Sequence, residues 1–412
     1  MSCISNSLSL CLSNEPTFPS LSNSRQNMDS TEEPKLNLNN LKALKILGKG
    51  AMGTVFLIQQ NNSFMALKVV DKTSTHDAER RARWETQVLS NLAHPFLPSL
   101  LGSFETDQLL AWSVPYCPGG DLNALRYHQT DRVFSTTVIR FYIAEILCAL
   151  DHLHTMGIAY RDLKPENVLI QQSGHVTLTD FDLSRKLSPK TVKIKTLISL
   201  DNRIHESRRK LRKWRVPEAN GKIARVTPEV RRELSFSDGE RSNSFVGTTE
   251  YVAPEVVRGD GHEFAVDFWA LGVLTYEMMY GKTPFKGKNK KETFRNVLFK
   301  SPEFVGRKTA LTDLIERLLE KDPVKRLGYV GGASEIKEHE FFRGVKWEML
   351  TEVVRPPFIP SRDESYFTAD RFAEGVNIKE YFEKMKSPPS LPVSPLRSPS
   401  SEFQNSVSFA EF

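Results

Sequence analysis

The fold of this chain is limited most by a change of periodicity at Gly119-Gly120. Before that point apolar residues come in short runs suited to strands: Leu41, Leu44 and Ile46, then Val55-Phe56-Leu57-Ile58, then Phe64-Met65-Ala66-Leu67-Lys68-Val69-Val70. Gly and Asn-Asn turns separate the runs. Residues 74–93 carry charges, with Trp84, Val88, Leu89 and Leu92 at helical spacing, and predict an amphipathic helix. Beyond the glycines Ile139, Tyr142, Ile143, Ile146, Leu147, Leu150 and Leu153 recur on one helical face, predicting a long helix over 138–154. The expected architecture is α+β and bilobal, with a small sheet lobe at 41–117 and a larger helical lobe at 118–342.

Around that body lie segments of different character. Residues 1–40 are rich in Ser, Asn and Pro and are expected to be a disordered tail, and 343–412 form a C-terminal extension carrying three Ser-Pro pairs. The net charge of +6 conceals an asymmetry: residues 190–232 hold 14 Lys or Arg against 4 acids, so everything else carries −4. No stretch of 18 apolar residues suggests a membrane span, and the N-terminus lacks the pattern of a secretory signal. Cys3, Cys11, Cys117 and Cys148 have no paired spacing, which argues against a disulfide scaffold or a zinc site. A reducing compartment is expected: cytosol, nucleus or a membrane surface.

Three motifs carry chemistry. Gly48, Gly50 and Gly53 precede Val55, and glycines at this spacing let backbone amides approach a phosphate. Alone they read equally well as a flexible turn, but the run that follows is a strand, not a helix, which favours a hairpin lying over a nucleotide. Fifteen residues past Gly53, Lys68 stands inside an apolar strand. It is either a snorkelling edge residue or a cation held for phosphates, and the second role needs an acid on the next helix. Glu85 suits that better than Glu79, which sits among arginines. The third motif is Tyr160-Arg161-Asp162-Leu163-Lys164-Pro165-Glu166-Asn167, followed by Asp180-Phe181-Asp182 thirteen residues after Asn167. Phosphoryl transfer needs a carboxylate for the acceptor hydroxyl, a cation beside the moving group and oxygen ligands for Mg²⁺. Asp162, Lys164, Asn167 and Asp180 supply those types in order.

From about Leu41 to Phe342 the sequence resembles the eukaryotic protein kinases. Tyr160 before Arg161-Asp162, the string Phe245 to Glu255, and Pro357-Phe358-Ile359-Pro360 after the core resemble the AGC group. Asp180-Phe181-Asp182 in place of Asp-Phe-Gly, with a long basic insertion over about 186–241, is similar to the plant AGC VIII kinases, nearest the oxidative-signal-inducible and UNICORN subgroup. The resemblance implies a serine/threonine kinase of plant growth or stress signalling that uses ATP and Mg²⁺. Gly48, Gly50, Gly53 and Val55 would cover ATP, with Ala66, Val114, Tyr116 and Cys117 lining the adenine pocket. Lys68 and Glu85 would form an ion pair, Asp162 would be the base with Lys164 beside it, and Asn167 and Asp180 would hold the metal. Asp267 would brace the catalytic loop and Glu255 would pair with Arg326. Lys68 and Asp162 are expected to serve transfer alone, with no part in holding the fold. At Asp182 the usual glycine permits unusual backbone angles, and Asp is among the few other residues tolerating positive φ. A scaffold without catalysis and a lipid- or nucleic-acid-binding module are the rival readings.

The same resemblance implies activation by phosphate at Ser244, held by Arg161 and Arg185. It makes Phe409 and Phe412 a docking motif for the phosphoinositide-dependent kinase. Asp121, Glu166 and Glu277 match acidic positions that face basic residues upstream of the acceptor in protein substrates. The cluster Arg208 to Arg215 suits a nuclear import signal, a nucleic-acid patch, a patch for anionic lipid or a passive solvated loop, and Trp214 favours the membrane. No specific nucleic acid is expected as a partner. The expected location is cytoplasm or nucleus, or the periphery of the plasma membrane.

Overall fold

A computed structural model describes residues 41–50, 52–60, 63–187, 248–352, 356–360 and 375–386. The early apolar runs become β1 (Lys42–Lys49), β2 (Thr54–Gln60) and β3 (Ser63–Asp71), joined by β4 (Gly102–Glu105) and β5 (Leu109–Pro115) in one antiparallel sheet. The sheet has the order β10-β1-β2-β3-β5-β4, where β10 (Val376–Asn377) comes from the far end of the chain. Strand alternation gives the sheet two different faces. Register places Val55 opposite Lys68, Lys68 opposite Trp112, and Ala66 opposite Val114, so these side chains share the inner face. Phe56, Ile58, Met65, Leu67, Val69, Leu109 and Ala111 form a separate apolar cluster on the other.

Helix α1 (Ala78–Leu89) packs against the inner face of β3 and β5. It is shorter than the predicted 74–93. Asp71 Oδ1 accepts hydrogen bonds from Thr73 N at 2.9 Å and Thr73 Oγ1 at 2.6 Å, and this local turn delays the helix start.

The larger lobe is built on α2 (Leu122–Tyr127), α3 (Thr136–Thr155), α4 (Pro254–Arg258), α5 (Ala265–Tyr280), α6 (Lys290–Phe299), α7 (Ala310–Leu318) and α8 (Gly332–Lys337). α3 contains the predicted 138–154 helix, and Ser135 caps it by accepting from Val138 N at 3.4 Å. α5 is buried nearly all round and packs between α3 and α7, which makes it the axis of this lobe's core. The hairpin of β7 (Val168–Ile170) with β8 (Val176–Leu178), and the antiparallel pair of β6 (Ile158–Ala159) with β9 (Arg185–Lys186) that brackets it, hold the loops between them against that core.

The C-terminal extension adds a strand and a helix that the periodicity does not predict. Helix α9 (Ile378–Lys386) follows β10 and lays Ile378 and Phe382 on the outer apolar face of the small sheet. Tyr381 stands edge-on to Phe56, with ring centroids 5.4 Å apart, and Lys49 Nζ lies 5.0 Å over the Tyr381 ring. Among the described residues no helix is long and apolar enough to cross a membrane.

Candidate active site

A cleft of about 390 Å³ opens between the small sheet and the larger lobe. Leu47, Val55, Ala66, Val114 and Leu169 form apolar walls, Tyr116 and Cys117 line it behind β5, and Lys68, Asp180 and Glu166 bring charge to it. Burial pushes the Cys117 thiol up to about 12, so it is a packing residue and no thiolate. The glycines of the first motif differ among themselves. A Cβ on Gly48 would meet nothing within 4 Å, whereas one on Gly53 would stand 2.3 Å from the Val69 carbonyl oxygen. Gly53 is therefore required by the close approach of β3 as well as by any phosphate.

Lys68 is the electrostatic centre of the cleft. Its Nζ donates to Glu85 Oε2 at 2.7 Å and to Asp180 Oδ1 at 2.8 Å, and lies 5.5 Å from the Trp112 ring centroid. Glu85, not Glu79, is the partner on α1; Glu79 is spent on Arg83 at 2.8 Å. Burial alone would lower the Lys68 pKa, but Glu85 and Asp180 outweigh it and hold the lysine charged well above its ordinary range. Burial lifts Glu85 to about 7 even with the lysine opposing. The expectation that Lys68 and Asp162 take no part in the fold needs correction. Asp162 is buried, and Lys68, half-buried, is the counter-ion that makes burial of Glu85 tolerable.

Asp162 is 6% exposed, and its Oδ2 accepts from Lys164 Nζ at 2.7 Å and Asn167 Nδ2 at 2.9 Å. Burial raises its pKa, against the pull of Lys164 and Asn167. The loop is held from beneath by Asp267, fully buried on α5, which accepts from Tyr160 N at 2.8 Å, Arg161 N at 2.7 Å and His154 Nε2 at 2.8 Å. The Tyr160 hydroxyl donates to the Thr179 carbonyl oxygen and so ties this loop to the strand that delivers Asp180. Arg326 clamps Glu255 with two hydrogen bonds, at 2.7 and 2.9 Å.

Positive φ falls at Arg161 (69°) and Asp180 (62°), and Asp182 is not among such residues. The backbone reason offered for tolerating Asp182 in place of glycine is thus wrong. Its 6%-exposed carboxylate instead pairs with Arg81 of α1, while Trp84 Nε1 donates to Ser184 Oγ at 3.0 Å. Arg81 precedes Glu85 by one helical turn, so the spacing of α1 held the signal for this contact.

Asp121 and Glu166 lie at the cleft edge, Asp121 also capping α2 by accepting from Ala124 N at 2.8 Å. Glu277 is buried, paired with Arg126 at 2.9 Å and accepting from the Tyr251 hydroxyl, which leaves it the least accessible of the three acids. Arg161 donates through Nε to the Leu183 carbonyl oxygen at 2.8 Å and lines a recess with Arg80, Arg81, Arg185 and Lys186. Ser244, the basic insertion, Phe409 and Phe412 lie outside the described residues.

The donor set suits nucleotide phosphates with a hard cation. Asp180 offers a carboxylate beside Lys68, and Asn167, whose Nδ2 is spent on Asp162, offers its amide oxygen. Among the described residues no group of three or more His, Cys, Asp or Glu could hold a metal alone. Mg²⁺ bound through one or two side chains together with substrate phosphates requires no such group.

The chain matches the family model described as Protein kinase domain over residues 41–218 and 233–342. It is 61% identical over 373 residues to the serine/threonine-protein kinase UCN of Arabidopsis thaliana, covering 86% of this chain and 92% of that protein. Against UCNL of the same plant it is 58% identical over 398 residues, covering 92% of this chain and 96% of the relative. Against OXI1, also from Arabidopsis thaliana, the identity is 46% over 351 residues, with 82% of each chain covered. The Lys68–Glu85–Asp180 cluster, the loop of Asp162 and these relatives lead to one assignment: the chain belongs to the protein kinase family, among the plant serine/threonine kinases that include UCN, UCNL and OXI1.

Proposed function

We propose that this kinase transfers the γ-phosphoryl group of ATP to Ser or Thr of proteins with Asp162 as the base and Mg²⁺ held by Asp180 and Asn167. The observation that carries this reading is one half-buried cation, Lys68, placed on both Glu85 and Asp180 in an apolar cleft. Asp162 orients the acceptor hydroxyl and takes its proton as the new O–P bond forms and the bond to the ADP oxygen breaks. Lys164, already on Asp162, offsets charge on the moving group. Lys68 holds the α- and β-phosphates, Gly48, Gly50, Gly53 and Val55 cover them, and Ala66, Val114, Tyr116 and Cys117 receive the base. When bound, Mg²⁺ neutralises charge on the phosphates.

Substrates carry Arg or Lys before the acceptor, drawn by Asp121 and Glu166 with Glu277 behind them. Phosphate on Ser244 is received in the basic recess of Arg161 and Arg185, and Phe409 with Phe412 docks the phosphoinositide-dependent kinase. The basic insertion attracts anionic lipid, and the enzyme works in cytoplasm or nucleus or at the plasma membrane periphery. The test is ATP-dependent labelling of a Ser peptide with upstream arginines. Asp162→Asn should abolish it, and replacing the arginines with Gln should raise KM for the peptide. Near-normal turnover by Asp162→Asn would remove the assigned base.

A further inference from the structure

Asp182 adds a negative charge to a site that already holds Asp162, Asp180 and Glu85. Unneutralised, it would repel these carboxylates and gain nothing. Its neutralising partner comes from the other lobe: Arg81 of α1 reaches across a sequence separation of 101 residues to Asp182 Oδ2. Asp182 is 6% exposed and Arg81 28%, so water screens the pair weakly. Arg81 and Glu85 stand one turn apart on α1, so fixing Arg81 fixes the angle at which Glu85 meets Lys68. A neighbouring link runs the same way, from Trp84 to Ser184, and Ser184 Oγ donates to the Phe181 carbonyl oxygen at 2.6 Å. Both links join α1 to the residues that follow Asp180, and neither requires a modified side chain.

We propose that Asp182 is a positioning residue: by holding Arg81 it keeps α1 seated and Glu85 on Lys68, a tie between the lobes that glycine at this position cannot make. The proposal rests on the role given above to Lys68 and Glu85. It concerns how that pair is held, and it gives the departure from Asp-Phe-Gly a purpose.

The test uses the full chain, with wild-type transfer to the basic peptide established first, so failure of the kinase reading is seen separately. Asp182→Asn, Asp182→Gly, Arg81→Met, Arg81→Lys and the double variant Asp182→Asn with Arg81→Met are assayed across ATP, Mg²⁺ and peptide concentrations. Asp182→Asn, Asp182→Gly and Arg81→Met should each lower kcat/KM for ATP by about tenfold, with KM for the peptide unchanged. The double variant should also lose about tenfold and not a hundredfold, because both changes cut one link. Arg81→Lys should recover most of the loss. Wild-type kinetics in Asp182→Asn, or multiplicative losses in the double variant, would overturn the proposal. So would a changed Mg²⁺ requirement in Asp182→Asn that Arg81→Met does not share, since Asp182 would then act on the metal directly.

Discussion

Lys68→Met separates catalysis from stability. Without Nζ, Glu85 becomes a buried carboxylate facing Asp180 and Asp182 with no cation beside it. It cannot stay ionised there, and it takes up a proton, since burial already holds its pKa near 7 with the lysine present. In the unfolded chain the same group releases that proton around its ordinary 4.5. Wild-type Glu85, held near 7, carries the same cost up to neutral pH, so the variant's extra deficit opens above pH 7, where wild-type Glu85 ionises beside Lys68 and the variant's keeps its proton. At about 1.4 kcal/mol per pH unit the deficit reaches about 1.4 kcal/mol at pH 8, roughly 2–3 °C in melting temperature for a body of this size. It grows as pH rises above 7 and closes as pH falls below it. Transfer should drop about 10²–10³-fold, the usual cost of removing one preorganised charge-stabilising group. Lys68→Met with Glu85→Gln needs no proton and should regain the melting temperature at pH 8 without regaining transfer. Melting followed by circular dichroism from pH 5.5 to 8, beside peptide labelling, reads both effects. Transfer within tenfold of wild type in Lys68→Met, or transfer restored in the double variant, would refute the reasoning.

Arg326→Met should cost about 3–5 kcal/mol, because Arg326 is fully buried and its loss strands Glu255; adding Glu255→Leu should return much of it, and a single-variant loss below about 1 kcal/mol in urea unfolding would contradict this. Lys321 lies 3.6 Å from the Phe285 ring centroid, and burial lowers its pKa to about 7. The folded state thus binds fewer protons than the unfolded chain from pH 7 to 10.5, and the lysine's contribution to stability rises across that window. Lys321→Met should melt higher than wild type at pH 7, with the gap closing towards pH 10; a flat gap would mean the rings already offset the burial. Gly53→Ala should raise KM for ATP and lower the melting temperature, because its Cβ meets the Val69 carbonyl oxygen at 2.3 Å. Unchanged kinetics and melting would show that β3 can move away.

The order of the reactive groups and the two kinds of lobe follow from local sequence alone. Short alternating runs before Gly119 and the long apolar face over 138–154 are local patterns, set by neighbours a few residues away, and strands and helices formed there. The types of Lys68, Asp162, Asn167 and Asp180 were legible because phosphates and a hard cation accept few other side chains. Even α9 left a trace, in Ile378, Tyr381 and Phe382 at helical spacing, but nothing local says that its strand pairs with β1 or that it covers the small sheet. Contacts across the chain were decided by tertiary structure alone. Lys68 finds Glu85 17 residues away and Asp180 112 away, and only the closed fold puts both within 3 Å of one nitrogen. Asp182 read as a backbone matter because its partner, Arg81, lies 101 residues earlier and on another lobe. Charge pairing depends on distance in space and on exclusion of water, and the folded chain, not the order of its residues, supplies both.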